Sequence, residues 1–74
     1  GIPTLTVTDE YNQITQQYIL KVKTTDAKAR PIPLVVGLID PSGKEVHSDH
    51  TFLVNETEMA FYFYNISNRP IPSL

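Results

Sequence analysis

Two histidines, His47 and His50, stand three residues apart with Asp49 between them, and this is the strongest metal candidate in the sequence. A zinc site needs three or four ligands converging at about 2 Å, and histidine pairs that share a metal usually sit one helical turn apart. In extended chain, residues three apart point to opposite faces. The 74 residues contain no further histidine and no cysteine to complete a set. The expectation is therefore two solvated residues in a connecting loop.

The remaining chemistry-bearing residues give no better constellation. Asp9, Glu10, Asp26, Asp40, Glu45, Asp49, Glu56 and Glu58 read as solvated charge in turns, and nothing selects two of them as an acid–base pair across a pocket. The serines and threonines lack a nucleophile-elbow context, and both phosphate-cradling glycine motifs are absent. Two N-x-[ST] sequons begin at Asn55 and Asn65, and with no signal peptide in view they read as coincidence at strand ends. Tyr62, Phe63 and Tyr64 resemble a stacking platform in composition. In so small a domain, an aromatic strand is better explained by core and inter-domain contact. The chain is expected to hold no catalytic, cofactor-binding or metal site.

The elements that carry these residues are short and β-like. "TLTVT" (Thr4 to Thr8) alternates, with Leu5 and Val7 on one face, and "DEYNQ" supplies turn residues. "QYILKVKT" (Gln17 to Thr24) sets Tyr18, Leu20 and Val22 against Lys21 and Lys23. "LVVGLID" (Leu34 to Asp40) is apolar on both faces, as a central strand would be. "DPSG" (Asp40 to Gly43) predicts a type I turn, with aspartate capping and proline presetting φ. A short polar strand "KEVH", then "HTFLVN" (His50 to Asn55), an "ETE" turn and "MAFYFYNI" (Met59 to Ile66) follow. In the last run Phe61 and Phe63 share a face with Met59, and Ala60, Tyr62 and Tyr64 share the other. Six to seven short strands with turn signals every 8–12 residues or so predict an all-β, immunoglobulin-like sandwich. The Cys…Trp…Cys hallmark of antibody domains is missing.

"RPIPL" at Arg30 to Leu34 and "RPIPSL" at Arg69 to Leu74 look like a repeat, but their flanks do not match. Each proline biases its predecessor to extended backbone, so both read as stiff lead-ins to strands. A net charge of −2 argues against nucleic acid or an anionic membrane as partner. No apolar run approaches the roughly 20 residues of a membrane span. The absence of cysteine suits a reducing compartment, so a cytoplasmic location is expected.

Taken together, "GIPTLTVTDEYN", "QYILKV" and "MAFYFYNISNRPIPSL" resemble the non-catalytic β-sandwich domain of bacterial aminopeptidase N, a zinc metallopeptidase of the gluzincin type. The first half matches at Gly1, Pro3, Val7, Tyr11, Asn12, Tyr18, Leu20 and Val22. The second matches at Asp40, Gly43, Lys44, Phe61, Phe63, Asn65, Arg69, Pro70, Pro72, Ser73 and Leu74. The connection from Asp26 to Arg30 is shorter than the family's, and Ile2 stands where threonine is usual.

The resemblance implies a single domain, residues 1–74, belonging to a larger multidomain peptidase and stopping short of its last strand. It implies a structural spacer between the catalytic domain and a C-terminal helical domain, with zinc in the parent's catalytic domain only. The family's H-E-x-x-H helix and its Gly-x-Met-Glu-Asn strand do not occur here. The expected partners are those flanking domains, and the isolated chain is expected to pair through an open strand edge. A free-standing immunoglobulin-like binding module, glycosylated at Asn55 or Asn65, is the alternative.

Overall fold

A computed structural model of the chain describes residues 4–25 and 31–74. Six strands follow in order: β1 (Leu5–Asn12), β2 (Gln17–Thr24), β3 (Ile32–Ile39), β4 (Glu45–Val54), β5 (Glu58–Phe63) and β6 (Ile71–Ser73). They form two three-stranded sheets, one ordered β1-β2-β5 and the other β4-β3-β6, with every pairing antiparallel. This is the all-β, immunoglobulin-like sandwich that the alternation predicts.

Alternation decides which side of each strand is buried. In β2, Tyr18, Leu20 and Val22 are at most 1% exposed, while Lys21 and Lys23 face solvent. The register carries the same face across to β5, setting Tyr18 against Phe63, Leu20 against Phe61 and Val22 against Met59. From the second sheet, Val36, Leu38 and Val54 close the core, with Ile66 plugging one end. Phe52 of β4 lies over Phe61 of β5 with ring centroids 4.3 Å apart, so these two strands stack across the sandwich.

Three local expectations need correction. "DEYNQ" is not a turn: β1 runs on through Asp9 to Asn12, and the reversal occupies Gln13 to Gln16. The side chain of Asn12 makes that reversal, its Oδ1 accepting from the backbone N–H groups of Ile14 and Thr15 at 2.9 and 3.1 Å. "KEVH" and "HTFLVN" are not two strands but one, β4, carried past an irregularity where the register with β3 shifts. Finally, most of the carboxylates lie on strands rather than in turns, because cross-strand pairing outweighs the low β-propensity of Asp and Glu.

The "DPSG" turn forms as predicted. Gly43 N–H donates to the Asp40 carbonyl at 2.9 Å, and Asp40 Oδ1 accepts from the Ser42 hydroxyl and from the backbone of Ser42 and Lys44. These donors, the Ser42 hydroxyl first, hold the Asp40 carboxyl below its ordinary pKa. Gly43 has φ +89°, a conformation that side chains resist. Both Pro-Ile-Pro stretches are strand entries: β3 starts at Ile32 and β6 at Ile71, each directly after a proline. Arg30 of the first stretch lies outside the described residues. Pro33 is tolerated within β3 because β6 pairs only with Gly37 to Ile39, leaving β3 one neighbour at that point.

Truncating either core phenylalanine should therefore remove much of the stability. Phe61→Ala or Phe63→Ala should cost about 3–5 kcal/mol, against the roughly 5–15 kcal/mol total of a typical domain. Thermal unfolding followed by circular dichroism should show both variants largely unfolded and Lys23→Ala nearly unchanged. Cooperative, native-like melting of both phenylalanine variants would refute the assigned core.

Candidate functional site

The histidine pair lies on β4, and the register decides its geometry. His50 pairs with Val36 and His47 with Leu38, so Ser48 and Asp49 together oppose the single residue Gly37. That extra residue cancels the offset expected of positions three apart. Both histidines consequently lie on the inward side of β4, contrary to the opposite-face expectation. His47 meets Phe63 edge-on with ring centroids 5.0 Å apart, and His50 meets Phe52 at 4.7 Å. Both remain exposed because β4 is the outer strand of its sheet. Nor are they loop residues. Among the described residues no group of three or more His, Cys, Asp or Glu side chains comes together. The pair offers two nitrogens and packs on aromatic rings, which does not fit a zinc centre.

Asp49 falls on the outward side, over Gly37, where any Cβ would overlap its Oδ1. The other carboxylates separate into distinct roles. Glu10 accepts from Lys21 at 2.8 Å and Glu58 pairs with Lys23 at 3.2 Å, both on the outer face of the first sheet. Glu45 and Glu56 are exposed, and Asp26 lies outside the described residues. Tyr62 and Tyr64 face outward, 54% and 63% exposed, while Phe63 points into the core. The aromatic platform is thus split between two faces. Asn55 closes β4, and Asn65 sits in a left-handed conformation at φ +60°, which asparagine accepts more readily than most residues.

The tightest polar arrangement was hidden in the sequence reading. Asp9 is not a solvated turn residue: it points inward from β1, where Oδ2 accepts from the Tyr18 hydroxyl at 2.7 Å and Oδ1 from Arg69 at 2.6 Å. Two residues on, the Tyr11 hydroxyl donates to the Ile66 carbonyl at 2.5 Å, and the Ile66 N–H donates to the Gln16 carbonyl at 2.9 Å. These bonds fasten the segment between β5 and β6 to the β1–β2 hairpin. Their sequence signal is the spacing Asp9, Tyr11 on one face of a strand, which becomes legible only once β1 is extended through them. The arrangement holds structure together, and it offers neither an activated nucleophile nor a free acid–base pair.

Burial, followed by the Asp9 hydrogen bond, raises the pKa of the Tyr18 phenol well above its ordinary value near 10. Because the folded value exceeds the unfolded one, this contribution is complete below about pH 10. It is lost as pH climbs toward the folded value. Urea denaturation between pH 8 and 11 should show stability falling above pH 10 or so, and Tyr18→Phe should flatten that fall. An equal slope in the variant would show that Tyr18 does not carry it.

A protein-family model described as a domain of unknown function, DUF3458, with an Ig-like fold matches residues 1–74. Aminopeptidase N of Escherichia coli strain K12 is 35% identical over 89 aligned positions, which take in all of this chain and 10% of that protein. The crystal structure of Legionella pneumophila aminopeptidase A in complex with aspartic acid superposes with a TM-score of 0.93 at 52% identity. That match covers 99% of this chain and 9% of the Legionella chain. The sequence thus spans about a tenth of each relative and corresponds to one small domain within it. The chain belongs to the Ig-like DUF3458 family.

Proposed function

We propose that this chain is a structural spacer domain of a larger zinc aminopeptidase, placing a catalytic domain and a helical domain relative to one another. The observation that carries the reading is the match over the whole chain to about a tenth of two much longer aminopeptidases. The sandwich suits the role. Its hydrogen-bonded hairpin and clamped β5–β6 segment suit a stiff body, with Tyr11, Tyr18, Asp9 and Arg69 all engaged in holding it. In this reading peptide hydrolysis and zinc belong to the parent's catalytic domain, and the neighbours of this chain are the parent's other domains.

The coding sequence on either side of these 74 residues supplies the first test: an H-E-x-x-H motif upstream is expected. Purified alone, the chain should turn over no aminoacyl-nitroanilide and retain no stoichiometric zinc. Saturable, chelator-sensitive turnover that co-purifies with it would overturn the reading. In the longer enzyme, replacing the chain by a flexible Gly/Ser linker should lower kcat/KM and enlarge the particle in small-angle scattering, while zinc stays bound. Unchanged kcat/KM and dimensions would exclude a spacer role.

β6 pairs with β3 along one side only, which leaves the isolated chain a short open edge. Sedimentation of the purified chain should accordingly show concentration-dependent dimer. A monomer at all concentrations would mean that the edge is blunted by Pro72 and by the strand's three-residue length.

A further inference from the structure

The two outer faces of the sandwich differ in kind. On the β1-β2-β5 sheet the outward residues include Thr6, Thr8, Glu10, Lys21, Lys23 and Glu58, and the charges close on one another in two ion pairs. A face of this composition is suited to water. On the β4-β3-β6 sheet the outward residues of β3 are Pro33, Val35, Gly37 and Ile39, with Leu53 beside Pro33 and Ile71 beside Ile39; the polar neighbours Thr51, Asp49, Ser73 and Glu45 come from the flanking strands β4 and β6. Val35, Leu53 and Ile71 are 48%, 58% and 47% exposed. β3 therefore has no polar side chain in its eight residues, "IPLVVGLI". Such a run is typical of a strand covered on both faces, whereas an antiparallel strand with one wet face alternates as β2 does. Among the described residues only the inner face is covered.

We propose that the outer face of the β4-β3-β6 sheet, centred on Val35 and Leu53, is the surface on which a neighbouring domain of the same polypeptide packs, through an apolar patch of its own. The inference rests on the spacer reading above. The occupant follows from length: the chain is about a tenth of each aminopeptidase it matches, so nine-tenths of such a polypeptide is tethered to it. A tethered domain is present at an effective concentration of about millimolar, well above that of a second copy. The first sheet, with its paired charges and the exposed Tyr62, remains the solvent side.

Cysteine labelling tests this directly, because the chain has no cysteine of its own and each introduced thiol is unambiguous in its peptide. Val35→Cys and Leu53→Cys report the proposed interface, and Tyr62→Cys, at a similarly exposed position, reports the opposite face. Maleimide modification is followed by mass spectrometry in the longer polypeptide and in the 74-residue chain. In the longer polypeptide, Val35→Cys and Leu53→Cys should react at least about tenfold more slowly than Tyr62→Cys. In the 74-residue chain all three should react alike.

Equal reactivity in the longer polypeptide, or protection of Tyr62→Cys instead, would overturn the face assignment and leave the spacer reading standing. Concentration-dependent protection of Val35→Cys and Leu53→Cys in the short chain would name a second copy as the occupant and overturn the proposal. If the coding sequence continues into no peptidase, the spacer reading fails first and the proposal with it.

Discussion

The two sheets share no strand, and no cysteine is present to bridge them, so side-chain packing between them is the constraint on which the structure depends. Its fully buried centre is Tyr18, Leu20, Val22, Val36, Leu38 and Val54, and beside it Phe52 stacks on Phe61 and Phe63 meets Tyr18 and His47. A sandwich of three-stranded sheets buries little apolar surface, and a domain of this size is near the lower limit of independent stability. Each large ring at the interface thus accounts for a large share of the folding free energy. Within each of β2 and β5 the inward residues must come from every second position, because a slip of one residue would send every one of them outward.

Packing alone would leave the ends of the sandwich loose, and the hydrogen bonds at one end address this. Tyr11, Asp9, Tyr18 and Arg69 are the positions that tie the β5–β6 segment to the β1–β2 hairpin. Tyr11, Tyr18 and Arg69 are also among the residues that carry the family resemblance. The common cause is physical: a buried phenol needs an acceptor, and a half-buried carboxylate needs donors. Substituting one member of such a set strands another.

The two outer faces of the sandwich also contrast. Charges that neutralise one another within a sheet need no partner, whereas a strand apolar on both sides has surface left over after its own core is complete. The histidine rings of β4 lie against Phe63 and Phe52. Among the described residues no three His, Cys, Asp or Glu side chains come together as metal ligands would.

By itself the sequence determined the fold class, the inward face of β2 and β5, the Asp40 turn and the two proline-led strand entries. Each of these follows from local rules, either a period of two or a residue that fixes its own backbone. The resemblance to the aminopeptidase domain was equally legible, because it rests on the order and spacing of residues. Only the tertiary structure decided the fate of Asp9, the same-side placement of His47 and His50, and the merging of two expected strands into β4. In all three cases the reason is cross-strand register: a single extra residue opposite Gly37, or a tyrosine on the next strand, reassigns side chains that the linear sequence leaves equivalent.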